Sequence, residues 1–278
     1  MKLWPSAKAF NWRNLGVRLL SALVLAPAAI GAAWFGGWAF LLMVGVGVAL
    51  LAIEWALMSA PATPTRLAAV ITAAVVGAIC ILYSGHPVLA WMAALAGAGA
   101  AALVALPLKS RTGDAAFGVL YLAVPALALI WLRGGPAEDD QGRWWTLMVL
   151  AVAWAADGAA FLVGSVLRGP KIWPRFSPNK TWSGFFGGLA AGAAAGWGVA
   201  EVTGAASDWV GLTAGLLCAF LTMAGDLLES MLKRRFGVKD SGALIPGHGG
   251  LLDRVDGLMV AIVGMAAIRL LVELGVLS

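Results

Sequence analysis

Charge is scarce in this chain: Asp, Glu, Lys and Arg make up 12% of its 278 residues, against 61% apolar. Soluble domains average roughly 45–50% apolar, so an ordinary water-exposed surface is excluded. Stretches alternating apolar and polar residues are missing, which argues against a transmembrane β-barrel. The two cysteines, Cys80 and Cys218, lie far apart inside apolar runs without metal-ligand spacing, and read as small buried hydrophobes. No interval between apolar runs is long enough for a soluble domain, and no internal repeat is visible.

What is present is a series of apolar runs near 20 residues, the length that crosses a bilayer as a helix. About nine are expected, at 17–34, 38–58, 67–83, 88–106, 115–131, 146–167, 185–202, 209–228 and 258–277. Turns fall at Pro61 and Pro64, Pro87, Pro107, Gly134–Gly135–Pro136, and Pro174 and Pro178. The first run follows a basic start, as in a secretory signal. It continues past Ala26–Pro27–Ala28 into Trp34 and Phe35 and is read as a retained span. The expectation is an all-α, polytopic membrane bundle forming one domain over 1–278, with hydrophobic spans in 1–145 and chemistry in 146–278.

With the N-terminus in the cytoplasm, every Lys and Arg except Arg133, Arg143 and Arg269 falls on the cytoplasmic side or its flanks. The net charge of +5 is therefore mostly topological, and a nucleic-acid partner is not needed to explain it. The two richest polar loops, 168–184 and 229–257, share that side.

Acids at membrane depth need a partner or a wet cavity, since a lone charge there costs roughly 2.5–3.5 kcal/mol on insertion scales. Asp157 lies midway along the sixth run and Asp226 near the end of the eighth. For each the alternative is a helix-packing hydrogen bond. Glu54 has no charged neighbour in sequence and stays ambiguous. Asp226, Glu229 and Ser230 share one helix face by their spacing, as do Asp253 and Asp256. Carboxylates from two helices meeting is an arrangement suited to Mg²⁺, which often takes one or two carboxylates plus substrate phosphates. Acids favoured by a helix N-terminus are the plainer account of Asp253 and Asp256.

Between those acid pairs, Gly242, Gly247, Gly249 and Gly250 allow sharp turns that expose amides, with Lys233, Arg234 and Lys239 supplying positive charge. His248 could contact a phosphate, transfer a proton or cap the turn. In the other loop, Ser177, Asn179, Lys180 and Thr181 precede a span, a position suited to phosphate or nucleotide binding or to a plain helix entry.

The run Ser230-x-Leu232-Lys233-Arg234-x4-Lys239-Asp240-x-Gly242-x2-Ile245-Pro246-x-His248-Gly249-Gly250-Leu251-x-Asp253-Arg254-Val255-Asp256 resembles the signature of the phosphatidate cytidylyltransferases, the CDP-diacylglycerol synthases. Gly225–Asp226, Asp157 ahead of an apolar stretch, and Ser177–Pro178–Asn179–Lys180–Thr181–Trp182 agree with it. The resemblance covers 157–257. It departs at Ser183–Gly184, where relatives usually carry Glu-Gly, and no role is carried over to Ser183.

That resemblance implies transfer of a cytidylyl group from CTP to phosphatidic acid, giving CDP-diacylglycerol and pyrophosphate at the cytoplasmic face. It implies metal ligands Asp226, Asp253 and Asp256, with Asp157 contributing, and a catalytic set that adds Lys239 and Asp240. Ser177, Asn179, Lys180, Thr181, Ser230, Lys233, Arg234, His248 and Arg254 would bind substrate. Two cations are expected, Mg²⁺ and a second that could be monovalent, such as K⁺. A bacterial inner membrane is the expected location, the bilayer a partner, and a homodimer is left open. A CDP-alcohol phosphotransferase shares the opening Asp253-x-x-Asp256-Gly257, but Val260–Ala261 stand where its Ala-Arg should be. An ion-coupled transporter would show repeated halves, and this chain has none.

Overall fold

The computed structural model describes residues 12–107, 111–135, 140–173, 177–242, 244 and 249–277. Nine helices run through the described residues: α1 (Trp12–Phe35), α2 (Gly37–Ser59), α3 (Pro64–Tyr83), α4 (Pro87–Ala105), α5 (Thr112–Leu132), α6 (Asp140–Leu167), α7 (Trp182–Thr203), α8 (Asp208–Arg235) and α9 (Leu252–Glu273). Eight are long and apolar enough to cross a membrane. The described apolar part of α1, Leu23–Phe35, is shorter. The all-α polytopic expectation holds, with each helix on an expected span. One element was not anticipated. The 168–184 segment carries a short antiparallel hairpin, β1 (Lys171–Trp173) with β2 (Ser177–Thr181), with an irregular register. It is too short to show a two-residue period in sequence.

Helix ends follow local chemistry. Pro64 and Pro87 open α3 and α4, where a missing amide hydrogen costs nothing. The Thr181 hydroxyl accepts from Gly184 N at 3.2 Å and caps α7, and Ser207 does the same for α8 through Val210 N at 3.4 Å. The chain reverses between α1 and α2 at Gly36 and Gly37, both at positive φ. There the buried Arg133 reaches over from the end of α5. Its Nε donates to Ala33 O at 2.6 Å and its Nη2 to Trp34 O at 3.2 Å, so terminal carbonyls of α1 are satisfied within the protein.

Packing falls into two groups of neighbours. Helices α2 to α5 pack on one another, α6 to α9 do likewise, and α5 meets α9. In lipid there is little hydrophobic drive between helices, so close approach of backbones matters more. Gly184, Gly188, Gly192 and Gly196 recur every fourth residue on the buried face of α7. A Cβ on Gly188 would lie 2.8 Å from Ala156 O of α6, and one on Gly196 2.7 Å from Gly215 Cα of α8. Leu, Val, Phe and Trp side chains such as Leu42, Leu95, Phe161 and Trp209 point outward, as a bilayer-facing surface requires.

One cluster fixes the polar end of α8. Trp55 of α2, fully buried, packs against Phe117, Tyr121 and Phe236, and its Nε1 donates to Asp114 O at 3.1 Å. The Asp114 carboxylate pairs with Arg235. An aromatic knot and an ion pair thus hold α2, α5 and the last turn of α8 together.

Candidate active site

Helix α8 enters the polar end of the bundle carrying Asp226, Glu229 and Lys233 at spacings of three and four, so all three project from one face. The start of α9 presents Asp253 and Asp256, α6 presents Asp157, and β2 delivers Lys180. Lys180, from the 168–184 loop, reaches α8, where its Nζ lies 2.5 Å from Asp226 Oδ2.

The groups divide into an open half and a closed half. In the open half, Asp157 is exposed, and Asp226, Lys180 and Arg254 are near enough to act on its charge. In the closed half, the Lys233 ammonium sits between two carboxylates. It pairs with Glu229 and lies 2.6 Å from Asp253 Oδ1. The Asp253 carboxylate also accepts from Ser241 N at 3.1 Å and Gly250 N at 3.0 Å. Asp256 is buried, accepts from Gly257 N at 2.8 Å, and feels the charges of Asp226 and Glu229.

Two observations bear on whether a cation suits this place. Glu229 Oε1 is buried with no hydrogen-bond partner. Asp157, Asp226, Glu229, Asp253 and Asp256 also outnumber Lys180, Lys233 and Arg254, which leaves surplus negative charge. No three His, Cys, Asp or Glu side chains among the described residues are close enough to cage an ion alone. Asp157, Asp226, Glu229 and Asp256 are the residues here that could contribute to a cation site, each with an oxygen donor.

The remaining expected residues fall as follows. Ser177 and Ser230 are half-buried on this cluster's elements, Arg234 is exposed in the last turn of α8, and Lys239 and Asp240 are exposed on the segment that follows it. Arg234 Nη1 donates to Val238 O at 3.3 Å. The Thr181 hydroxyl is occupied as the α7 cap and touches Ser183 Oγ at 3.1 Å. Ser183 Oγ in turn donates to Arg168 O, tying the end of α6 to the start of α7 where relatives usually place a carboxylate. The Asn179 side chain and His248 lie outside the described residues.

Sequence reasoning left Glu54 ambiguous and paired Glu229 with Asp226 on a carboxylate face suited to a cation, without placing either among the site residues. Glu229 had a signal, its place on the Asp226 face. Glu54 had only its depth in an apolar span; its partners are nearly two hundred positions away.

The chain is similar to proteins that share one name. A Brucella suis protein named phosphatidate cytidylyltransferase is 41% identical over 251 residues, covering 89% of this chain and 90% of that one. One of the same name from Pseudomonas aeruginosa is 33% identical over 264 residues, covering 90% and 95%. A third, from Mycobacterium leprae, is 37% identical over 159 residues, 57% of this chain and 50% of its own. The model of the cytidylyltransferase family matches residues 16–272, a range that takes in every carboxylate and cation of the cluster. The chain belongs to the cytidylyltransferase family.

Proposed function

We propose that this protein transfers a cytidylyl group from CTP to phosphatidic acid, forming CDP-diacylglycerol and pyrophosphate at the cytoplasmic face of a bacterial inner membrane. The observation that carries the reading is the polar end itself. Carboxylates of α6, α8 and α9 gather there, with Lys180 beside those of α6 and α8, within a bundle whose outer faces are apolar. A lipid phosphate can come sideways from the leaflet to such a place while a nucleotide comes from the water.

In the reaction an oxygen of the lipid phosphate forms a bond to the α-phosphorus of CTP. The bond from that phosphorus to the bridging oxygen breaks, and pyrophosphate leaves with the electron pair. Both reactants are anions, so positioning and charge stabilisation supply most of the rate. Lys180 and Arg254, beside Asp226 and Asp157, are placed to receive phosphate oxygens in the open half. Lys239 and Arg234 are exposed and would add positive charge for phosphates. Lys233 keeps Glu229 and Asp253 in register, and Asp253 keeps the loop ends together. Asp226 and Asp256, with Asp157 and Glu229 near them, would hold Mg²⁺, which supplies neutralisation of phosphate charge; a second cation, such as K⁺, has the same donor set available. The cytoplasmic placement rests on the distribution of Lys and Arg along the chain.

The test supplies purified protein with radiolabelled CTP, phosphatidic acid and Mg²⁺. Labelled lipid and stoichiometric pyrophosphate are expected. Uptake of substrate into vesicles without either product would overturn the proposal.

A further inference from the structure

The least exposed acid among the described residues, Glu54, lies outside the polar segments. It sits in α2 at 0% exposure, yet its carboxylate is fully engaged. Oε1 accepts from Leu251 N at 2.8 Å and Oε2 from Leu252 N at 2.7 Å, and Ser241 Oγ lies 3.3 Å from Oε2. Those amides belong to the first turn of α9, where the helix leaves its own donors unsatisfied and favours negative charge. The space is shaped for this carboxylate. A Cβ on Gly242 would lie 2.8 Å from Oε1, and one on Gly250 would lie 2.9 Å from both oxygens.

Asp253 grips the same two places from the other side, through Ser241 N and Gly250 N. The ends of the 241–250 segment are therefore held together by two carboxylates, one from the segment's own helix and one from α2. We infer that Glu54 is a positioning residue for the cytidylyl-transfer site: it fixes the first turn of α9, and with it Asp253 and Asp256, against α8. Its charge also occupies the α9 N-terminus, so that this end of the helix is a clamp and phosphate oxygens fall to the side chains of Lys180, Arg254 and their neighbours. The inference rests on the proposed function of the site.

A buried glutamate could serve packing alone, and the two roles separate experimentally. Glu54→Gln keeps the volume but offers an NH₂ group to one of the two amides it now accepts from. Misplacement of catalytic groups by about 1 Å can cost on the order of a hundredfold in rate, so Glu54→Gln is expected to lose about that in kcat with little change in KM for CTP. Amide exchange should quicken in 249–257 and stay at wild-type rates in α3 and α4. Gly242→Ala, whose Cβ meets only this carboxylate, should lose activity in the wild-type background and add little further loss to Glu54→Ala. A Glu54→Gln kcat within about twofold of wild type overturns the inference, as does additivity of Gly242→Ala with Glu54→Ala. Faster exchange spread evenly over α2 to α5 assigns Glu54 to packing and overturns it too. Absence of labelled lipid from wild-type protein would instead strike the proposed function, so the two failures are distinguishable.

Discussion

Lys233→Met is the sharpest probe of the closed half. The methionine keeps the length of the stem and removes only the charge. In the native protein the ammonium faces Glu229, whose side chain is 1% exposed, and Asp253, at 7%. Removing one partner from a buried ion pair costs about 3–5 kcal/mol, because the other charge is left uncompensated. The two carboxylates lose unequally. Asp253 keeps the amides of Ser241 and Gly250, whereas Glu229 has no other donor among the described residues. That asymmetry places the expected cost near the lower end, about 3 kcal/mol. At roughly 2–4 °C per kcal/mol, the thermal midpoint in detergent should fall by roughly 6–12 °C. Pairing Lys233→Met with Glu229→Gln removes the stranded carboxylate and should recover most of that loss while cytidylyl transfer stays low. A midpoint for Lys233→Met within about 2 °C of wild type would mean that the pair behaves as an exposed one, and the account of the closed half would be wrong. No recovery in the double variant would refute it equally.

Three further outcomes follow from the same geometry. Asp226→Asn and Asp256→Asn should each abolish formation of labelled CDP-diacylglycerol while membrane insertion and elution profile stay unchanged. Chelation of divalent cations should stop turnover, and Mg²⁺ should restore it; calorimetric titration of Mg²⁺ with a non-hydrolysable CTP analogue should show weaker binding in Asp226→Asn. Gly196→Leu should separate α7 from α8, because even a Cβ there meets Gly215 Cα at 2.7 Å. Overpacking costs typically about 1–3 kcal/mol, read as a lower thermal midpoint, and Gly198→Leu, whose Cβ meets nothing within 4 Å, is the matched control.

The membrane bundle and most of the candidate site were legible because their signals are local. Apolar runs of bilayer length mark the spans whatever their neighbours do, and the segment from Ser230 to Asp256 carries its acids, bases and glycines in one continuous stretch. Lys233 shows where that reading stops. As one basic residue in a basic loop it reads as a phosphate contact, yet the fold surrounds it with Glu229 and Asp253. Thr181 is similar, its hydroxyl being taken by the α7 cap. The β1–β2 hairpin was missed because three paired residues are too few to show a period.

By itself, then, the sequence determined the solvent this chain folds in, the number and order of its helices, the segment that gathers its charge and the family it belongs to. Each depends on composition or on spacing within one stretch. Only the tertiary structure decided which charge neutralises which. Lys180 of β2 meets Asp226 of α8, Arg235 meets Asp114 across α5 and α8, and Glu54 of α2 closes the start of α9. The reason is physical: at membrane depth a charge must find a partner wherever the packing brings one, and packing joins positions that lie far apart along the chain.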